Sequence, residues 1–363
     1  MKALRILAGV TALAVAGAAV ARWMDLESTA QAFAPVRLFP GLSDKLNEVT
    51  ALTIESKGKM FTVTRTQDGR WVLPGKGNFP ADRDLVQSTL IALSETDLID
   101  KRTARKDWHG RLDLGLPKDG GAGSIISVLG ANGAKLGEAV AGKGVEGFNQ
   151  GDKVAAYVRR TGEDQTYVAL GKLQLKANET DWLDKRFLDY DRSRVAFAAI
   201  RPPKGPAYSV KRAKTDDENF VLENALPRGR TLRTEREPNG VGQALFNFTI
   251  EDVAPVKDVA FKGASFAAFR TFNGVTLSFA VARKNEDYWV TVNATGEDQP
   301  LPPPKPGEKL PPLASVEAKT INDKAAGWAF KVPKFKGVLM TAPLEDLLAP
   351  LGGPPPGPKV SPR

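Results

Sequence analysis

The stretch from Val49 to Leu73 alternates hydrophobic and polar residues, and this alternation predicts three β-strands. Two runs of turn-forming residues, 57–59 and 67–69, separate the strands. From Pro80 the period changes to that of a helix with one apolar face. The apolar residues of that face are Leu85, Val86, Leu90 and Leu93. The stretch therefore predicts a small sheet that is covered on one face by an amphipathic helix.

The same order of hydrophobic segments returns later in the chain. The segments that match the three strands are Val195–Ile200, Tyr208–Arg212 and Phe220–Leu222, with a helix from about Asn239. A looser third copy comprises Val275–Arg283, Tyr288–Val290 and a helix near Ser315–Ala326. We therefore predict an α+β fold of duplicated strand-strand-strand-helix modules, with mostly antiparallel sheets that are each covered by a helix. The alternative is chance recurrence, since any β-rich chain repeats its hairpins.

This repeat predicts a division of the 363 residues into successive segments. They are an N-terminal membrane anchor or signal peptide at 1–24, a spacer at 25–48, a first α+β domain at 49–175, a second α+β module at 176–254, a third at 255–348 with a proline-rich insertion at 299–312, and a disordered tail at 349–363. We also predict a short helix at Thr180–Leu188 and closing strands at Gly327–Pro333 and Gly337–Met340.

The N-terminal segment has the charge pattern of an exported chain. Lys2 and Arg5 precede an uncharged, mostly apolar run from Ile6 to Ala21. A spanning helix needs about 20 residues, and residues up to Met24 extend this run toward that length. We predict a single-pass anchor in the bacterial inner membrane through residues 6–24, with the bulk of the chain in the periplasm. The alternative is a signal peptide that is cleaved after Ala21.

The amino-acid composition limits the kinds of catalytic and metal sites that the chain can form. The chain has no cysteine and one histidine, His109, which argues against disulfides, thiolate nucleophiles and zinc sites. The G-x-G-x-x-G pattern at Gly142–Gly147 is followed by no helical period, so it predicts a β-loop rather than a dinucleotide site. We therefore predict no cofactor and no metal. The net charge of +9 on an exported chain favours anionic lipid or glycan over nucleic acid as a partner.

The densest arginine cluster is the candidate site of the sequence. It comprises Arg228, Arg230, Arg233 and Arg236. Guanidinium groups suit two-point capture of phosphate or carboxylate, so we predict an anion or partner patch there. Glu235 and Glu237 dilute the positive charge, and the alternative is a solvated loop.

Several short motifs carry a family resemblance. They are Leu38–Gly41, the Val49–Leu73 module, Phe79–Asp82, Leu114–Pro117, Tyr157–Arg159 and Trp182–Phe187. In these motifs the chain resembles the bacterial proteins grouped as domain of unknown function 4340, over most of residues 39–253. The resemblance implies membrane-anchored, outward-facing companions of ABC transport systems, and it carries no catalytic residues.

We therefore expect a non-catalytic envelope protein that is tethered to the inner membrane. Its expected role is as an accessory or scaffold component of an ABC transport system, through protein contacts at a sheet edge or helix face. One alternative is a binding module for an anionic envelope glycan or lipid. A second alternative is a hydrolase that uses carboxylates distant in the sequence.

Overall fold

A computed structural model describes residues 33–172, 175–186, 188, 190–299 and 312–351. The described residues divide into two compact units. The first unit comprises the described residues up to Gly69 together with Asp84–Ala177, and the second comprises Arg70–Arg83 together with the described residues from Asn178 onward. The predicted anchor at 1–24, most of the proline-rich insertion at 299–312 and most of the predicted tail at 349–363 lie outside the described residues.

Short strands and a few helices make up both units. The strands in the described ranges are β1 (Val36–Arg37), β2 (Ala51–Ser56), β3 (Lys59–Arg65), β4 (Trp71–Leu73), β5 (Phe79–Pro80), β6 (Asp97–Lys101), β7 (Ser124–Leu129), β8 (Lys135–Gly144), β9 (Val154–Arg160), β10 (Tyr167–Gly171), β11 (Val195–Arg201), β12 (Tyr208–Lys211), β13 (Val221–Leu222), β14 (Asp252–Pro255), β15 (Ser265–Thr271), β16 (Val275–Lys284), β17 (Asp287–Gly296) and β18 (Trp328–Val332). The α-helices there are α1 (Arg83–Glu95), α2 (Glu237–Gly242), α3 (Ala314–Ala325) and α4 (Lys334–Thr341).

The first unit contains strands paired antiparallel in the order β1-β6-β10-β9-β8-β7-β2-β3. The β2–β3 hairpin turns at Lys57–Gly58, and both residues have positive φ. The β7–β8 hairpin turns at Asn132–Gly133, also with positive φ, as the Asn-Gly pair predicts. Alternate residues of these strands are buried, including Leu52, Ile54, Val63 and Val140.

The second unit contains strands paired antiparallel in the order β13-β12-β11-β15-β16-β17-β18-β14. Its core is rich in aromatic rings, and Phe269 lies 5.8 Å from Phe279 in an edge-to-face arrangement. The segment 70–83 groups with this unit because Phe79 lies 5.3 Å from Trp328 and Lys76 pairs with Asp252 at 2.7 Å. Side-chain packing and one ion pair thus hold β5 and its flanking turn to the second unit.

Seven strands follow the same order in both sheets. The order β6-β10-β9-β8-β7-β2-β3 of the first sheet corresponds to β14-β18-β17-β16-β15-β11-β12 of the second. The hairpins also share their register, because Leu52 opposes Val63 and Ile54 opposes Phe61, while Ala198 opposes Val210 and Ile200 opposes Tyr208. The whole sheet, rather than a three-strand unit, is the part of the architecture that recurs.

The predicted fold class is therefore wrong. The chain forms two large antiparallel sheets with few helices, and not a series of three-strand modules that each carry a helix. The hairpin that we assigned to a third module is β16–β17, which lies inside the second sheet between β15 and β18. Pairing between strands distant in sequence, such as β11 with β15, builds one large sheet where local patterns predicted separate small ones.

Two local predictions are also corrected. Residues 337–340, predicted as a closing strand, belong to helix α4, which Pro333 precedes at the N-cap position. Gly337 lies against the ring of Tyr288, where any side-chain carbon would collide with that ring. The helix predicted at Thr180–Leu188 is only a 3-10 turn at Glu179–Trp182, after which Leu183 forms a bridge with Ala81.

One long strand edge in the second sheet is closed by a side chain. Strand β18 opposes β17 only from Tyr288 to Val290, and helix α3 lies along the rest of β17. The Asn322 side chain of α3 accepts from the Ala294 N–H at 2.8 Å and donates to the Ala294 carbonyl at 2.7 Å. A side-chain amide thus takes the place of a neighbouring strand at this position.

Candidate functional site

A polar pocket in the second unit brings together arginines from three separate segments. Its volume is about 450 Å³, and its lining residues are Arg192, Ser193, Arg212, Thr215, Asp217, Glu218, Asn219, Arg236, Asn239 and Gln243. Arg192 precedes β11, Arg212 follows β12 and Arg236 directly precedes α2. The β11–β12 hairpin and the start of α2 therefore position the three guanidinium groups. We call this site the arginine pocket.

Arg212 forms the floor of the arginine pocket, and its side chain is buried. Within the described ranges, its guanidinium donates to three main-chain carbonyls: to Val195 from Nε at 2.9 Å, to Asp217 from Nη1 at 3.1 Å, and to Arg192 from Nη2. The same guanidinium lies 4.8 Å from the Phe220 ring centroid. Three carbonyls thus fix the position of this cation.

Burial lowers the pKa of Arg212, and the charges of Asp217 and Asp191 act in the opposite direction. An arginine side chain still keeps its proton in a protein. Arg212 therefore contributes a permanent positive charge to the pocket, although its N–H groups are directed at carbonyls.

A frame of side-chain hydrogen bonds holds the rim of the pocket. Oδ2 of Asp217 accepts from the N–H groups of Ala213 at 2.9 Å and Lys214 at 2.8 Å. Asn239 accepts from the Phe220 N–H at 2.7 Å and donates to Asn219 at 2.6 Å. Asp217 and the two asparagines are therefore used to shape the loop.

Apart from Ser193, whose hydroxyl donates to Asp191, the remaining side chains of the pocket have free hydrogen-bonding capacity. Arg192 lies 4.6 Å from the Phe246 ring, and neither it nor Arg236 has a carboxylate partner within the part of the chain that the structure describes. Thr215 and Gln243 add a hydroxyl and an amide. Two acids oppose these charges, since Asp217 and Glu218 both line the pocket, and of the two only Asp217 is used in the frame. The free groups are thus two guanidiniums, two neutral polar groups and one acid.

The structure does not bring the four arginines of the predicted patch together. Arg236 lines the arginine pocket, whereas Arg228 and Arg233 are exposed outside it. Arg230 is largely buried, pairs with Glu345 at 2.9 Å and donates to the Ala349 carbonyl at 3.1 Å. The prediction missed Arg192 and Arg212 because they are distant in sequence. Their available signal was the hairpin match, in which Arg212 corresponds to Arg65.

His109 and the glycine pattern at 142–147 are parts of the packed fold of the first unit. The His109 ring is buried, with Nε2 at 2.9 Å from the Asp164 carbonyl oxygen. The glycine pattern at 142–147 covers the end of β8 and the turn after it, and no described helix begins there. Among the described residues, no cluster of three histidine, cysteine or acidic side chains has the proximity of a metal site. Across the same residues, no helix combines the length and apolarity that crossing a membrane requires.

Comparison with known proteins places the chain in a family. A family model described as Domain of unknown function (DUF4340) matches residues 71–265, which is more than half of the chain. No curated protein and no solved structure matches it. The matched range includes part of the first sheet, the β11–β12 hairpin and every lining residue of the arginine pocket. The chain is therefore a member of the DUF4340 family, as its short motifs predicted.

Proposed function

We propose that this chain is a non-catalytic binding protein of the bacterial envelope, and that its arginine pocket captures an anionic group. The observation that carries the proposal is the pair Arg192 and Arg236. Both guanidiniums line one opening, and neither is neutralised by a carboxylate among the described residues. Free guanidinium groups bind phosphate and carboxylate through paired, charge-assisted hydrogen bonds.

The pocket also limits the class of ligand. A volume of about 450 Å³ is within the range of small-molecule sites. Thr215 and Gln243 offer neutral polar groups that suit hydroxyls. Glu218 repels a second negative charge on the same ligand. We therefore propose a ligand with one anionic group and several hydroxyls, as in an acidic sugar or the glycerol phosphate of a lipid headgroup.

The cellular setting of the proposal comes from the sequence. Residues 6–24 tether the chain to the inner membrane, and an ABC transport system is the expected partner. Strand addition has little room, because the edge strands β1 and β13 have two residues each, the edge strand β14 has four, and Asn322 closes part of β17. A protein partner would then contact side chains. Co-purification of transporter subunits in mild detergent is the measurement for this partner, and the hydrolase alternative stays a prediction.

The binding experiment uses calorimetric titration of the full chain with two anionic probes, glycerol 3-phosphate and glucuronate. Glycerol and glucose are the uncharged controls. We expect binding of the anionic probes that weakens as salt rises. Changing Arg192→Gln and Arg236→Gln together removes two charged hydrogen-bond donors, each worth about 1.5–3 kcal/mol. We expect this double variant to lose more than about 100-fold in affinity.

The matched control is the double variant Arg228→Gln and Arg233→Gln, which removes the same charge from exposed positions outside the pocket. We expect it to bind like the unmodified chain. Equal losses in the two double variants would show that general surface charge, and not the pocket, attracts the probe. Binding that survives the Arg192 and Arg236 changes would remove the pocket from the proposal.

A further inference from the structure

A second positively charged surface belongs to the first unit, whereas the arginine pocket belongs to the second. It runs from the last residue of β6 into a 3-10 turn at Lys106–Leu112 and comprises Lys101, Arg102, Arg105, Lys106, Trp108 and Arg111. All six residues are exposed. We call this region the basic–aromatic surface.

Trp108 is the centre of this surface. Its side chain remains 38% exposed although it is a large aromatic residue. The guanidinium of Arg105 lies 5.2 Å from the indole ring, and that of Arg111 lies 4.9 Å from it. An indole that is partly exposed and flanked by cations has the amphipathic character of aromatic residues at membrane–water interfaces.

The charge of the surface is only partly compensated. Residues 101–111 hold five cations and one acid, Asp107. Arg102 pairs with Asp100, Arg105 with Asp107 and Lys106 with Asp164, at 2.9, 2.7 and 3.5 Å. Lys101 and Arg111 have no ion pair with any described residue, and they contact aromatic rings instead. These ion pairs are largely exposed, so water and salt weaken them, and the cations stay available to an anionic surface.

The basic–aromatic surface adjoins the point where the described chain begins. The ring of Phe33 lies 5.9 Å from Tyr167, and the Lys101 ammonium lies 5.5 Å from the same ring. Tyr167 opposes Lys101 in the β6–β10 pair, and His109 contacts the Asp164 carbonyl just before β10. A continuous set of contacts therefore connects Phe33 with the turn that carries Trp108.

The connection to the predicted anchor is short. Residues 25–32 separate Met24 from Phe33, and the nine residue steps between these two span at most about 32 Å when fully extended. A tether of this length keeps Phe33, and the surface beside it, close to the membrane from which the chain emerges.

We propose that the basic–aromatic surface lies against anionic phospholipid headgroups, with Trp108 at headgroup level and the cations around it pairing with phosphates. The proposal rests on the proposed tether for its geometry. Its chemical basis is separate, because each lysine or arginine near an anionic membrane adds to attraction whether or not the chain is anchored.

The experiment places the full chain in lipid nanodiscs, one set of phosphatidylcholine alone and one with added phosphatidylglycerol. Hydrogen exchange of residues 101–112 and quenching of Trp108 by brominated lipid are measured in both. The Trp108→Phe variant gives the background from the other tryptophans. We expect slower exchange and stronger quenching in the anionic discs, and loss of both effects at high salt.

The key variant is Arg105→Gln, Lys106→Gln and Arg111→Gln together. The control is Lys204→Gln, Lys214→Gln and Arg228→Gln, three exposed cations of the second unit. We expect the first variant to remain in the discs while residues 101–112 exchange as they do in phosphatidylcholine. The control should behave like the unmodified chain. Circular dichroism checks that both variants are folded.

The outcomes separate the surface from the tether. A chain that is held in the discs but shows the same exchange in both lipids overturns the proposed surface and leaves the tether intact. If the chain does not enter the discs, its sedimentation with anionic and with phosphatidylcholine vesicles tests whether the surface binds lipid without the tether. Binding to anionic vesicles alone, weakened about 100-fold in the triple variant, supports the surface without the tether; this corresponds to about 3 kcal/mol. Sedimentation with neither vesicle type overturns both.

Discussion

The two sheets share seven strands in one order, but they fill one face differently. Following the strand pairs outward from the matched hairpins gives corresponding positions in the two sheets. Ala139, Ala141, Ala156 and Ala169 of the first sheet correspond to Phe279, Val281, Tyr288 and Val332 of the second. At these four positions the first unit has small residues and the second unit has larger ones.

A helix covers the large residues on this face of the second sheet. Helix α4 follows β18 directly, with Gly337 against Tyr288 and the carbonyl of Ala342 accepting from the Tyr208 hydroxyl at 3.1 Å. In the first unit the four alanines instead line a cavity of about 290 Å³ together with Leu38 and other small or apolar residues. The shared strand order places this face at the same position in each sheet. In the second unit a helix that follows the last strand covers the face, and in the first unit the face lines a cavity.

The largest expected effect tests the filled face. Phe279 is 1% exposed and lies 5.8 Å from both Phe248 and Phe269. We expect Phe279→Ala to lower the free energy of unfolding of the second unit by about 3–5 kcal/mol, because it leaves a cavity in a packed core. Hydrogen exchange of β15–β17 measures this loss. The control Phe266→Ala, on the same sheet but 52% exposed, should change stability by less than about 0.5 kcal/mol. Similar costs for the two variants would contradict the filled face.

A smaller effect tests the cover itself through pH. Lys336 of α4 is 4% exposed, its ammonium donates to the Phe246 carbonyl, and burial lowers its pKa to about 8. The unfolded chain binds this proton up to about pH 10.4, so between the two pKa values the unfolded state holds more protons. Stability contributed by this site therefore rises as pH increases through that window.

We expect the unmodified chain to gain about 2 kcal/mol relative to Lys336→Met between about pH 7.5 and pH 9.5. Chemical unfolding at a series of pH values gives this difference. Lys334→Met changes an exposed lysine of the same helix and is the control. The difference in stability between the unmodified chain and Lys334→Met should not grow over this pH range. Parallel pH profiles for the Lys336→Met variant and the unmodified chain would mean that α4 leaves this amine in water.

The smallest effect tests the cavity of the first unit. Ala141 corresponds to Val281 and lines the cavity, so two more carbons have room there. We expect Ala141→Val to raise the stability of the first unit by up to about 1 kcal/mol, whereas Val281→Ala lowers that of the second. Thermal unfolding followed by exchange in β7–β9 reports the change. A loss above about 1 kcal/mol in Ala141→Val would mean that the cavity has no space at this residue.

Local patterns in the sequence were sufficient for the hairpins. Alternation placed β2 with β3 and β11 with β12, and the Asn132–Gly133 pair marked the β7–β8 turn. These elements depend on neighbours within a few residues. Pairing of β2 with β7, or β11 with β15, joins strands far apart in sequence, and no local period specifies which strand lies alongside. The two large sheets were therefore mistaken for three small ones.

The run Gly337–Met340 was too short for its period to separate a strand from a helix. Its helical state is consistent with packing against Tyr288, which is distant in the sequence. Only one of the three arginines of the pocket was predicted, because local sequence patterns do not show which distant residues come together. Arg236 belongs to a dense cluster, but Arg192 and Arg212 join it only through the β11–β12 hairpin, and Arg230 of the same cluster is paired with Glu345.

The amide of Asn322 has a consequence for the aggregation of the folded protein. Strand β17 has ten residues and pairs with β18 only from Tyr288 to Val290, so an unclosed remainder of this edge would be a template for other chains. By occupying the N–H and the carbonyl of Ala294, the Asn322 side chain removes two hydrogen-bonding groups that another chain would need in order to extend the sheet at β17. We therefore expect resistance to aggregation at this edge to depend on Asn322 as well as on the net charge of +9.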